Sequence, residues 1–94
     1  MKILISSKQL AHELNKIDFR IENVIGIIEE SKGIVLSTER QNIETSCIIL
    51  TEGMKIIKQY KRRWDWIKKL VNQVDEQPVT LEISEGIINV IFQY

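Results

Sequence analysis

The side chains able to do bond chemistry are few and scattered. His12 is the one histidine and Cys47 the one cysteine among 94 residues, so one chain cannot assemble a zinc site of the usual Cys and His composition. A nucleophilic pair would need Cys47 activated by His12. Cys47, however, sits mid-strand among apolar neighbours, where a cysteine packs as a small hydrophobe, and His12 falls on a wet helix face. The carboxylates Glu29-Glu30 and Asp75-Glu76 are adjacent in sequence, which points them apart on a strand or leaves them in a loop; no pair is spaced for general acid and base work. No glycine-rich phosphate loop is present. The expectation is a protein that is not an enzyme and uses no cofactor and no metal.

What is concentrated is positive charge. Between Met54 and Lys69 stand seven basic residues (Lys55, Lys58, Lys61, Arg62, Arg63, Lys68 and Lys69) against one acid, Asp65, while the whole chain balances 13 basic with 13 acidic residues. A neutral protein does not bind phosphate over its whole surface, so only such a local patch can meet nucleic acid. The competing reading is an ordinary solvated helix face. Trp66 lies at the edge of the apolar face, where it either packs at a boundary or stacks on a partner, whereas Trp64 sits in the middle of that face and belongs to the core.

The elements that hold these residues are legible in the hydrophobic pattern. Ninety-four residues, 44% hydrophobic and 28% charged, suit one soluble domain spanning 1–94. No apolar run reaches the roughly 20 residues needed to cross a bilayer. A lone cysteine and the absence of a signal-peptide pattern at the start predict a cytoplasmic location. Met1–Ile5 reads as a strand; Ser6 or Ser7 caps a helix, with Gln9 in capping-box spacing and Leu10, Ala11, Leu14 and Ile17 on one face. That leaves Lys8, His12 and Lys16 on the wet side. Val24–Glu30 and Gly33–Ser37 make a hairpin across Ser31-Lys32-Gly33. Ile43–Leu50 is a further strand with Ile43, Thr45, Cys47 and Ile49 on one face. Met54 to about Gln59 is a strand and the helix that follows runs to about Val74, burying Tyr60, Trp64, Ile67, Leu70, Val71 and Val74. Pro78 excludes further helix, Val79–Ser84 alternates as a strand, and Ile87–Tyr94 is the last.

A shift of 53 residues lays Met1-Lys2-Ile3 on Met54-Lys55-Ile56 and Ser31, Gly33 and Ile34 on Ser84, Gly86 and Ile87. The halves 1–53 and 54–94 therefore read as two β-α-β-β repeats. The fold class expected is α+β: seven strands in one antiparallel-rich sheet, both helices on one of its faces, and the last strand of the second repeat missing. The basic faces of both helices would then point outward together.

With that architecture the chain resembles a single domain of the DNA sliding clamps, most closely the β subunit of the bacterial replicative polymerase. The resembling stretches are Met1-Lys2-Ile3-Leu4-Ile5-Ser6-Ser7-Lys8-Gln9-Leu10, Glu22-Asn23-Val24-Ile25 and Asp75-Glu76-Gln77-Pro78-Val79-Thr80-Leu81-Glu82-Ile83. The resemblance implies a DNA-clamp-like domain that forms a ring with others, helices inward, and holds duplex DNA through its phosphates without catalysis or base readout. Residues then expected at DNA are Lys8, His12, Lys16, Lys61, Arg62, Lys68 and Lys69. Ile43, Thr45, Cys47 and Ile49 mark the strand expected at the interface of a homo-oligomer that continues its sheet from copy to copy. A replication or repair protein is the further partner implied. A bacterial clamp subunit has three such domains and this chain one, so a ring would need six copies. The alternative is a protein-interaction or structural module with the clamp fold that does not encircle DNA.

Overall fold

A computed structural model describes residues 1–52, 56–84 and 87–92, with only the backbone of 56–60. The turn at Gly53, the strand start at Met54-Lys55, the turn at Glu85-Gly86 and the end at Gln93-Tyr94 lie outside the described residues, as do the side chains of Lys58 and Tyr60. The chain is α+β and runs β1 (Lys2–Ser6), α1 (Ser7–Leu14), β2 (Val24–Glu30), β3 (Gly33–Ser37), β4 (Asn42–Ser46), β5 (Ile48–Thr51), β6 (Ile56–Tyr60), α2 (Lys61–Val71), β7 (Pro78–Ser84) and β8 (Ile87–Phe92). Ser6 ends β1 and caps α1, its hydroxyl accepting from the Gln9 backbone N–H at 3.3 Å, as its short polar side chain favours. The second helix stops at Val71, three residues short of the expected end, so that Val74 falls in the loop after it.

Two features correct the expected sheet. The strands form two four-stranded antiparallel sheets, in the orders β5-β1-β7-β8 and β4-β3-β2-β6, rather than one. The stretch Ile43–Leu50 accounts for the difference, because it breaks at Cys47: β4 pairs with β3 in one sheet and β5 pairs with β1 in the other. Eight described strands replace the seven expected. At the break, the Cys47 backbone N–H donates to the Lys32 carbonyl at 3.3 Å, which ties the crossing to the β2–β3 turn.

The order β-α-β-β occurs twice, and its spacing is 54 residues rather than 53. β1, α1, β2 and β3 start at Lys2, Ser7, Val24 and Gly33; β6, α2, β7 and β8 start at Ile56, Lys61, Pro78 and Ile87. The one-residue difference matters because a slip of one reverses the faces of a strand. At 54, buried Ile25, Ile27 and Ile34 fall on buried Val79, Leu81 and Ile88; at 53 they would fall on Pro78, Thr80 and Ile87, none of which is buried. Buried Leu10 falls on buried Trp64, not Ala11.

The two halves interlock by exchanging strands. β1 pairs with β7 and β6 pairs with β2, in equivalent register: Ile3 opposite Leu81, and Ile57 opposite Ile27. Even the joints match. The Ser7 N–H donates to the Gln77 carbonyl and the Lys61 N–H to the Asn23 carbonyl, each at 2.8 Å. Both helices bury their apolar faces in one cluster with the inner faces of the sheets, and they touch each other. Trp64 and Ile67 from α2 are fully buried there, beside Leu10 and Leu14 from α1. Side chains of this size contribute roughly 1.5–3 kcal/mol each on burial, so this shared cluster is what holds the helix pair in place.

Candidate nucleic-acid interface

Helix geometry sets four of the seven expected contacts, Lys8, His12, Arg62 and Lys69, in two rows. On α1 and its C-cap, Lys8, His12 and Asn15 recur at i, i+4 and i+7; on α2 and the turn after it, Arg62, Asp65, Lys69 and Asn72 recur at i, i+3, i+7 and i+10. The rows meet at their C-terminal ends, where Asn15 and Asn72 exchange side-chain hydrogen bonds of 3.0 and 2.9 Å. Beyond that pair lies an open cleft of about 710 Å³ lined by Lys16, Arg20, Lys68 and Lys69 with Asp18 and Asp65. Of the seven residues expected at DNA, the cleft gathers Lys16, Lys68 and Lys69; Lys8, His12, Lys61 and Arg62 lie outside its lining. Lys8, His12 and Arg62 are exposed and Lys61 is half-buried.

Much of the cleft's positive charge is already engaged. The Lys16 ammonium is 3.2 Å from Glu13, the Lys69 ammonium 3.4 Å from Asp65, and the Arg20 guanidinium 2.9 Å from Asp18. Lys68 points inward: its Nζ donates to the Ile17 carbonyl at 2.8 Å and stands 5.6 Å from the centre of the Phe19 ring. That cation over an aromatic face pins the chain after α1 against α2, which makes Lys68 a structural residue. The carbonyl ends of both helices also point to this end of the pair, and helix C-termini favour cations over phosphates. The outer ends of the rows, at Lys8 and at Arg62, are therefore the better ground for an anionic backbone.

Arg20 and Asp18 were not among the expected site residues. The Arg20 backbone N–H, Nε and Nη2 all donate to the Asp18 carboxylate, at 2.9, 3.0 and 2.9 Å. The Arg20 side chain, then its backbone N–H, hold the Asp18 carboxyl down at about 2, and the same pair raises Arg20. The sequence signal was the Asp-x-Arg spacing in a loop, where an aspartate can accept from the backbone two residues on.

The strand expected at an oligomer interface has its marked side chains turned inward. Ile43 and Thr45 are buried, and Cys47 and Ile49 are half-buried against the core. Burial pushes the Cys47 thiol up, away from the thiolate that nucleophilic chemistry would need. From the same stretch Ile48 and Leu50 are exposed, and Ile87 and Ile91 are exposed on β8 at the other edge of that sheet. Trp64 is fully buried as expected, while Trp66 is half exposed. Among the described residues no three His, Cys, Asp or Glu side chains cluster as metal ligands, and no helix is long and apolar enough to cross a membrane. Comparison with models of known protein families, with curated proteins and with solved structures finds no match for this chain.

Proposed function

We propose that the chain is a non-catalytic, sliding-clamp-like module of the cytoplasm that meets duplex phosphates through the exposed cations of its paired helices and oligomerises through sheet edges. The observation that carries this reading is the strand exchange between the two β-α-β-β halves, which sets α1 beside α2 with Lys8 and His12 on one outer row and Arg62 and Lys69 on the other. Phosphate contacts of this type need no base readout and weaken as salt rises. Association falls to the backbone edges of β4 and β5, since the side chains of Ile43, Cys47 and Ile49 pack on the core of their own copy and Thr45 is buried.

A second reading, a protein-interaction module on the same fold, is favoured by the ion pairing of Lys16, Arg20 and Lys69 and by the exposed apolar residues of β5 and β8. The test is duplex binding over a salt series for the parent and for the variant Lys8→Glu, Arg62→Glu, Lys69→Glu, with circular dichroism to verify the fold. Lys68 is kept, because its replacement would disturb packing. The parent is expected to bind with an affinity that falls with salt, and the variant to lose binding, since each phosphate contact contributes about 0.9 to the salt slope. Binding unchanged in the variant, or absent in the parent, refutes the DNA reading and leaves the interaction module.

A further inference from the structure

The described strands leave one half of the molecule less covered than the other. The segment Asn42–Thr51 runs first along β3 as β4, then crosses at Cys47 and runs along β1 as β5. The strands that correspond to β3 and β1 at the 54-residue spacing are β8 and β6, and each ends its sheet among the described residues. One further strand laid along β8 and then β6 would stand to the second half as Asn42–Thr51 stands to the first. Both sheets would then have five strands.

The core records the consequence. Leu36 on β3 is fully buried, with Ile43 of β4 opposite it. Its counterpart on β8, Val90, is only half-buried although it packs on the same core cluster, and Phe92 beside it is half-buried too. An apolar side chain placed opposite Val90, as Ile43 is placed opposite Leu36, would remove that remaining exposure.

We propose that β8 and β6 together accept one extended segment about ten residues long, with the side-chain pattern of Asn42–Thr51, which completes both sheets at once. Main-chain hydrogen bonds to the two edges supply the affinity and the alternate side chains supply the selection, as in other strand additions. The required pattern follows from the equivalent register. Position two of the segment is apolar and lies opposite Val90, as Ile43 lies opposite Leu36. Position four is small or β-branched and lies opposite Ile88, as Thr45 lies opposite Ile34. The segment changes sheets at position six, and position eight is apolar and lies opposite Ile57, as Ile49 lies opposite Ile3. The intervening positions face out and are polar or indifferent. This inference stands on strand pairing and is independent of DNA binding.

The protein's own covering segment fits the pattern, so the probe is a peptide of the sequence Asn42–Thr51 with Cys47→Ser and lysines at each end for solubility. It is titrated into the whole isotope-labelled chain without DNA, and amide hydrogen exchange is read residue by residue. The expected result is one peptide per chain, with amide exchange slowed about tenfold or more at edge-facing positions of both Ile88–Phe92 and Ile56–Tyr60. A peptide carrying Ile43→Glu and Ile49→Glu, which alters the probe and leaves the protein untouched, is expected to bind at least tenfold more weakly. The proposal is overturned by no binding, by equal binding of the two peptides, or by protection on only one of the two strands. It is equally overturned if β8 is protected without peptide because a second copy lies on it.

Discussion

Asp18 and Arg20 make the most heavily bonded ion pair of the cleft, and their chemistry sets a pH signature. A carboxyl held at about 2, against an ordinary 3.8, contributes stability that is complete above the ordinary value and is lost as pH falls through the window between 3.8 and about 2. Because Arg20 is exposed and Asp18 lies in an open cleft, solvent screens the pair and its effect is read best at the group itself. Arg20→Ala is expected to raise the Asp18 midpoint toward 3.8, measured by NMR titration of the carboxyl carbon; a midpoint that stays near 2 would assign the shift to something other than Arg20. At this scale residue types are legible along the chain and their partners are not. Lys68 and Lys69 are adjacent cations of one helix, yet one donates inward to Ile17 and the other pairs outward with Asp65, a division that depends on where the chain after α1 returns.

The β2–β3–β4 meander shows how an element depends on a single missing side chain. A Cβ on Gly33 would fall inside the contact distance of the Thr45 carbonyl and 3.0 Å from the Ser46 Cα, both backbone atoms of β4, whereas a Cβ on Gly26 would meet only ordinary contacts of 3.7 Å at Ser37. Gly33→Ala is therefore expected to cost about 1–3 kcal/mol, as overpacking against backbone does, and Gly26→Ala much less, both measured by urea denaturation. Equal costs would mean that β4 moves aside freely. The turn at Ser31-Lys32 was legible because it interrupts two apolar runs, and the helices were legible from their periodicity. The break at Cys47 was not. No glycine or proline marks it, and the residues on both sides alternate as one uninterrupted strand would.

At the scale of the whole molecule, the edge strand β5 carries Ile48 and Leu50, with 60% and 51% exposure, on the face turned away from the core, a surface suited to covering by another copy. If copies associate along this edge, Ile48→Lys with Leu50→Lys is expected to lower the native mass in solution to that of one chain while leaving the circular dichroism spectrum unchanged, since neither side chain supports the core. An assembly that survives both lysines places the contact elsewhere. A hexamer retained on circular DNA and released on linearisation is the outcome expected of a ring, whereas a monomer indifferent to DNA is that of an interaction module. The repeat belongs to this scale as well. The match of Met1-Lys2-Ile3 with Met54-Lys55-Ile56 suggested a spacing of 53, but the paired strands keep their buried faces in phase only at 54.

The order of strands and helices, the buried face of each helix and the confinement of excess positive charge to one segment were determined by the sequence itself, because each rests on local periodicity and residue type. The tertiary structure alone decided that one segment breaks into two strands serving two sheets, that β1 pairs with the second half and β6 with the first, and which cations remain available. Those outcomes depend on contacts between residues far apart in the chain, such as Lys68 with Ile17 and Asn15 with Asn72, for which a linear pattern carries no signal.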